Sequence, residues 1–133
     1  IAQHSKWLLP RLVKAYPHLN ERTALGFLNS ILYNSDYFFC YQPHAVGLMQ
    51  VERSHMLTPD AIVREKFVWV EDPKDEAQIE EALAFYGEFI KWGERFGAKV
   101  MVVGENSDVS LDKLRAAHGA RIFTREQKFV RLG

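Results

Sequence analysis

The sequence predicts one α/β domain, of the α+β kind, built on a mixed sheet. Two amphipathic helical segments come first, and two β-prone segments follow them. Further on, a long amphipathic helix lies between two apolar strands, an order typical of a parallel crossover connection. The 133 residues and the 47% hydrophobic content are enough for one core, so we expect residues 1–133 to fold as a single unit.

The chain opens with two predicted helices. Apolar residues recur at helical spacing over 8–16, and Pro17 ends this first helix. Asn20 is a residue type that caps helices well, and apolar residues within 25–32 form the buried stripe of a second helix. The two helices therefore stand in series ahead of the strands.

A hairpin and a third strand follow the helices. The aromatic segment 37–41 and the apolar segment 45–51 flank a proline-containing turn at 42–44, a pattern that predicts an antiparallel pair. A polar connection at 54–59 leads to the next strand, 67–70. This strand is strongly apolar, so we expect it to lie in the interior of the sheet.

The second half of the chain alternates helix and strand. A long amphipathic helix begins near Asp75 and ends at Gly97. The strand at 98–103 is almost entirely apolar, which is typical of a strand covered on both faces. Ser110 is placed to cap a short helix that ends at Gly119.

The two ends of the chain predict a closing hairpin and a missing opening strand. Segments 122–123 and 129–130 flank a turn at 125–127 and predict a closing hairpin. The first residue is Ile1 instead of methionine. We therefore expect that N-terminal sequence was either trimmed or left unresolved, and that an opening strand is missing ahead of Ile1.

Composition argues against several classes of function. The 17 basic and 17 acidic residues give zero formal net charge and no field for gathering nucleic acid. The five histidines have no ligand spacing and Cys40 completes no zinc set, so we expect no metal. No apolar run approaches the roughly 20 residues of a membrane span, and no signal-peptide pattern is present. We expect a cytoplasmic protein in which Cys40 is a buried structural thiol.

The order of elements resembles the GNAT superfamily, the acetyl-CoA-dependent N-acetyltransferases. The resemblance covers almost the whole chain and rests on the hairpin with Val46 and Gly47, the strand 67–70 followed by Pro73, the strand 98–103, and the segment 114–120. It implies a GNAT-like, mostly antiparallel sheet with helices on both faces. It also implies that two central strands, 67–70 and 98–103, splay apart.

The resemblance implies a cofactor as well. In that family acetyl-CoA lies between the splayed strands, where its pantetheine amides pair with strand backbone and its pyrophosphate rests on a glycine-rich turn. Carried over to this chain, the cofactor-binding residues would be Val68, Val70, Pro73, Ala77, Gln78, Ile79, Asn106 and Arg115.

The turn at the start of the long helix departs from the family. Where the family has glycines that let the backbone approach the pyrophosphate, this chain has Glu76, Ala77, Ile79 and Glu80. Acidic residues in a first helical turn stabilise the helix through its dipole by roughly 0.3 to 1 kcal/mol each. They also compete with phosphate for the same field. The acids are therefore either a solvated helix start or a degenerate cofactor loop.

Catalysis in this fold needs a general base for the amine, and often a general acid for the departing thiolate. Glu71 follows the strand 67–70 and Glu105 follows the strand 98–103, so either is a candidate base. The family's tyrosine acid falls at Arg115, which cannot deliver a proton near neutral pH. His118 is the candidate acid, although it equally suits the last turn of a helix as a cation.

Two functions follow from these residues. The first is an N-acetyltransferase that uses acetyl-CoA to modify an unidentified amine. The second is a GNAT-like protein without chemistry that binds protein partners in a larger assembly. The short chain also resembles the small GNAT-like proteins of tailed phages, which implies, as an example of the second function, a particle component located in the virion or a host-directed factor.

Overall fold

The computed structural model describes residues 4–52, 61–98, 100–104, 106–118 and 122–125. Within these ranges the elements follow the predicted order up to the first strand of the closing hairpin. The helices are α1 (Ser5–Ala15), α2 (Glu21–Ile31), α3 (Glu76–Glu94) and α4 (Leu111–His118), and the strands are β1 (Tyr37–Gln42), β2 (Ala45–Glu52), β3 (Ile62–Val70), β4 (Val100–Val103) and β5 (Ile122–Arg125).

The strands form one sheet in the order β1-β2-β3-β4-β5. β1, β2 and β3 are successively antiparallel, whereas β3, β4 and β5 are parallel and are connected through α3 and α4. The antiparallel ladders run the length of β1 and β2, while β4 pairs over only a short stretch. The predicted sheet, mixed and mostly antiparallel, is confirmed.

Helices cover both faces of the sheet, as predicted. On one face, Phe89 of α3 lies in a buried core that includes Val68 of β3. On the other face, Leu12 of α1 and Leu28 of α2 share a second core with Trp69. Consecutive residues of β3 therefore serve two separate cores, because successive side chains of a strand point to opposite faces.

Capping residues set where the helices begin. Asn20 Oδ1 accepts a hydrogen bond from Thr23 N at 2.9 Å, and Thr23 Oγ1 accepts one from Asn20 N at 2.8 Å, a reciprocal capping box. Ser110 Oγ accepts from Lys113 N at 3.2 Å at the start of α4. Asp75 caps α3. The predicted starts of α2, α3 and α4 are confirmed.

β3 begins at Ile62, earlier than the start predicted at residue 67. The polar residues at 64–66 make the first half of the strand hard to recognise in the sequence, yet the side chains of Arg64 and Glu65 both have partners in the structure. Arg64 Nε donates to Glu52 Oε1 at 2.6 Å on the neighbouring strand, and Glu65 is buried against α3.

A β-bulge interrupts β3 at Lys66. Leu48 lies opposite Phe67 whereas the next residue, Met49, lies opposite Glu65, so Lys66 is the extra residue. The bulge inverts the side-chain alternation of the strand. Odd-numbered residues face α3 before the bulge, and even-numbered residues face it afterwards.

Several predicted boundaries change. β4 begins at Val100 instead of residue 98. Arg125, predicted in the closing turn, belongs to β5 because it continues the parallel ladder opposite Val103. Other predictions lie outside the described residues, among them the connection 54–59, the helix end at Gly119, residues 126–127 of the closing turn and the strand 129–130.

Gly93 allows α3 to lie close to β3. A Cβ at Gly93 would overlap Cγ2 of Val63, a buried side chain that is stiff at χ1. Gly26, on the exposed face of α2, offers a contrast, because a Cβ there would meet nothing within 4 Å.

We expect Gly93→Ala to lower the free energy of unfolding by about 1–2 kcal/mol, since overpacking outweighs the gain in helix propensity. The matched control Gly26→Ala should raise it by about 0.5–1 kcal/mol. Urea unfolding measures both. A stabilised Gly93→Ala variant would contradict the close packing of α3 on β3.

Candidate functional site

The ladder between β3 and β4 is short. Residues 62–64 pair with 100–102, and the regular pairing then stops. Gly104 still lies against β3, because a Cβ there would be 2.8 Å from Glu65 O. Beyond this point residues 106–108, here called the closing segment, return to β3 and form a parallel bridge between Ser107 and Val68. The predicted divergence of the two strands is therefore present in the ladder, but residues 106–108 occupy the edge of β3 beyond it.

The closing segment pairs with the edge of β3 as a strand would. Val68 N donates to Asn106 O at 3.0 Å, and Asp108 N donates to Val68 O at 2.9 Å. Val70 N donates to the Asp108 carboxylate, with 2.9 Å between N and Oδ2. The backbone N–H groups of Val68 and Val70 on this edge therefore have partners within the chain.

Arg11 of α1 completes this arrangement. Its Nη1 donates to Val70 O at 3.1 Å and to Asp108 Oδ2 at 2.6 Å, and its Nη2 donates to Asp108 Oδ1. The guanidinium also lies over the Trp69 ring, 5.0 Å from the centroid. A two-point arginine–carboxylate pair fixes geometry as well as charge, so α1, β3 and the closing segment are held together at one point.

Two clefts border this part of β3. The larger, of about 420 Å³, is lined by Arg11, Lys14, Ala15, Trp69, Asn106, Ser107 and Asp108. The smaller, of about 210 Å³, lies near the bulge and is lined mainly by aromatic and aliphatic side chains: Tyr16, His18, Leu19, Phe27, Tyr37, Leu48, Lys66 and Phe67.

Tyr16 lines the smaller cleft and bonds Asn106, which lines the larger one. Its hydroxyl donates to Lys66 O, the carbonyl of the bulge residue, at 3.3 Å. Burial raises the pKa of Tyr16, and a hydrogen bond with the Asn106 side chain opposes that shift. The hydroxyl therefore stays protonated near neutral pH and is available as a hydrogen-bond donor, not as a base.

A buried polar network lies beneath the closing segment. The Tyr86 hydroxyl, on α3, donates to Glu65 Oε2 and lies 2.9 Å from Ser107 Oγ. Glu65 is 3% exposed and Tyr86 is fully buried. Because a buried carboxylate needs donors, this network ties β3, α3 and the closing segment to one another.

The turn before α3 satisfies its own backbone. Asp75 Oδ1 accepts from Ala77 N at 3.0 Å, and Gln78 Oε1 accepts from Asp72 N at 2.6 Å. Ile79 is buried in the core beneath α3. Of the turn residues predicted to hold a cofactor, Ala77 has its N–H bonded to the cap and Ile79 packs inside the domain, whereas Pro73 is exposed. The Gln78 side chain is bonded to the backbone of Asp72.

The charges around this turn are unfavourable for phosphate. Carboxylates crowd the start of α3: Asp72, Asp75, Glu76, Glu80 and Glu81. Lys113 Nζ bonds Glu76 Oε2 at 2.9 Å, and this contact raises the pKa of Lys113. As arranged, the turn and the self-paired edge of β3 do not fit acetyl-CoA, because its phosphates and its amides would both meet occupied or repulsive groups.

The predicted catalytic residues do not converge in the described part of the chain. Glu71 is exposed and contacts His44 in the β1–β2 turn, with 3.3 Å between Oε2 and Nδ1. His118 is half-buried, and its ring centroid lies 6.5 Å from that of Tyr86. Arg115 is exposed on α4, and Glu105 lies outside the described residues.

Other candidate sites contribute little. Cys40 is half-buried, and burial, with a smaller contribution from Glu88, raises the pKa of its thiol to about 12, which keeps it unreactive at neutral pH. Across the described ranges, no three His, Cys, Asp or Glu side chains are grouped to hold a metal ion. No helix in those ranges combines the length and the apolar character that a bilayer crossing requires.

Sequence reasoning missed Arg11, Asp108, Tyr16, Tyr86 and Glu65. Each contact joins residues far apart in sequence, up to 97 positions for Arg11 and Asp108. One signal was available for Asp108, since an acidic residue in a polar loop directly after an apolar strand lies near the sheet edge. Nothing in the sequence paired it with α1.

Comparison with known proteins supports the fold. The chain is similar to an aminoglycoside antibiotic 6'-N-acetyltransferase from Acinetobacter haemolyticus, crystallised in its apo form, with a TM-score of 0.63 and 16% sequence identity. The match covers 99% of this chain and 92% of that chain. No protein-family model and no curated protein matches. The GNAT-like fold is thus established, whereas identity this low carries no statement about substrate.

We expect Tyr86→Phe to lower the free energy of unfolding by about 1–3 kcal/mol, because the buried Glu65 carboxylate loses a donor. Tyr33→Phe is the matched control, since Tyr33 is 91% exposed and its hydroxyl should contribute little. Urea unfolding measures both variants. Equal stability of Tyr86→Phe and the unmodified protein would contradict the network.

Proposed function

We propose that this protein is an N-acetyltransferase of the GNAT type that uses acetyl-CoA and acts on an amine acceptor. The observation that carries the proposal is the construction of β3. The bulge at Lys66 and the end of the β3–β4 ladder lie beside two clefts, and Tyr16, which lines the smaller cleft, donates to the carbonyl of the bulge residue. The structural neighbour, a 6'-N-acetyltransferase, supports the same class of reaction.

The proposal requires the edge of β3 to be freed before the cofactor binds. Residues 106–108 occupy that edge, and the acidic start of α3 contributes no evident phosphate site. Glu71 and Glu105 remain the proposed alternatives for the base that deprotonates the acceptor ammonium, with His118 as the proposed acid. The acceptor itself is unidentified.

A second candidate is a GNAT-fold protein that binds a partner and performs no chemistry. The self-paired edge of β3, the acidic turn and Arg115 at the family's tyrosine position favour this alternative. Membership of a phage particle and other protein partners are proposals of the same kind, based on sequence resemblance alone.

Acetyl-CoA binding separates the two candidates. For the enzyme, acetyl-CoA at 100 times its dissociation constant should stabilise the fold by about 2.7 kcal/mol, which thermal unfolding detects as a raised midpoint. Free CoA release in the presence of a panel of amines then tests transfer. No stabilisation at millimolar acetyl-CoA would leave the binding protein as the supported function.

If transfer is observed, Glu71→Gln and Glu105→Gln identify the base. The variant that loses the base should lose most of its turnover, by roughly 10²-fold or more, while still binding acetyl-CoA. Turnover unchanged in both variants would exclude both carboxylates.

A further inference from the structure

The smaller cleft, of about 210 Å³, combines an apolar lining with a lysine, a histidine and two tyrosines. We propose that it binds a small aromatic carboxylic acid, with the ring among the apolar side chains and the carboxylate at Lys66 and Tyr37. This site goes beyond acetyl transfer, because such an acid is neither the cofactor nor the amine acceptor of the proposed reaction.

Apolar and aromatic side chains make up most of the lining. Leu48 and Phe67 are fully buried, and Leu19 and Phe27 pack against the same core. Four aromatic side chains line the cleft: Tyr16, Phe27, Tyr37 and Phe67. An apolar cavity of about 150 Å³ holds one benzene molecule, so this cleft has room for a single ring with a short polar group. The surrounding rings favour an aromatic ligand through offset and edge-to-face contacts.

The β-bulge brings a cationic residue into this lining. Successive residues of a regular strand point to opposite faces, yet Lys66 and Phe67 both line the cleft. Glu65, ahead of the bulge, faces α3 instead. The Tyr16 hydroxyl donates to Lys66 O at 3.3 Å and so fixes the backbone of the bulge. A lysine and a buried ring therefore lie on the same side of β3.

The polar groups of the cleft suit an anion. Within the described ranges, the Lys66 amine and the Tyr37 hydroxyl make no hydrogen bond and no salt bridge, so both can donate to a ligand. The exposed His18 ring lies edge-on to Tyr16, with 6.3 Å between the centroids. No Asp or Glu is among the described residues that line the cleft. A carboxylate would gain charge-assisted hydrogen bonds here, whereas an ammonium would meet only the lysine charge.

The larger cleft is the alternative place for an acid, since Arg11 and Lys14 line it. The Arg11 guanidinium, however, is already paired with the Asp108 carboxylate and lies over Trp69. An acid in the larger cleft would compete with Asp108 for the same donors. Among the described residues it would also meet only one aromatic side chain, Trp69. The smaller cleft is therefore the better match.

The test is a titration of the full chain with phenylacetate, followed by NMR at the backbone amides. A ligand with so few atoms should bind with a dissociation constant of roughly 1 mM. We expect shifts at the amides of Leu19 and Lys66, which line the smaller cleft. Phenylacetamide, the neutral analogue, should bind about tenfold more weakly, because it lacks the charge. Benzylamine, the cationic analogue, should not bind in this cleft.

Two variants test the groups that receive the carboxylate. Lys66→Met removes the charge but keeps a long unbranched side chain, and should weaken phenylacetate binding about tenfold. Lys91→Met, the same change at an exposed position of α3, should bind as the unmodified protein does. Tyr37→Phe keeps the ring and removes one donor, so we expect a loss of about threefold. Thermal unfolding verifies that each variant is folded.

Several results would overturn the inference. These are absence of shifts at phenylacetate concentrations of about 10 mM, equal affinity for phenylacetate and phenylacetamide, and unchanged affinity in both Lys66→Met and Tyr37→Phe. Shifts confined to Ser107 and Asp108 would place the acid in the larger cleft and would contradict the inference as well. Acetyl-CoA takes no part in this titration, so failure here leaves the proposed function standing.

Discussion

The backbone of β3 must find hydrogen-bond partners along both edges, and this constraint organises the centre of the molecule. β2 serves one edge, but β4 serves the other only as far as Arg64. Beyond that residue the hydrogen-bond partners come from other segments. Residues 106–108 pair with the backbone of Val68. The Asp108 carboxylate accepts from Val70 N, and Arg11 donates to Val70 O. A loop after one strand and a helix from the opposite end of the chain thus take the place of a neighbouring strand.

The bulge at Lys66 explains how β3 can pack against a core on each face and also place its polar groups near the closing segment. By inverting the side-chain alternation, it buries Glu65 and Val68 on the same face although they are three residues apart. The carbonyl of Lys66 is released from regular pairing and accepts from Tyr16 instead. The strand therefore keeps a continuous core on each face while its polar groups gather near the closing segment.

The fold could be largely predicted from sequence because its signals are local. A few consecutive residues are enough to recognise helical periodicity, an apolar strand, or a helix cap such as Asn20 or Ser110. The first half of β3 could not be predicted, since Arg64 and Glu65 find their partners only in three dimensions. The pairing at the edge of β3 could not be predicted either, because Arg11 and Asp108 are 97 positions apart in sequence and meet only in the folded domain.

The direct test of this account is amide hydrogen exchange of the unliganded protein, observed by NMR at Val68 and Val70. If the closing segment and the Asp108 carboxylate occupy this edge, both amides exchange as slowly as those within the β2–β3 ladder. Exchange as fast as that of exposed loop amides would mean that the edge is open in solution. The Arg11–Asp108 closure would then be contradicted.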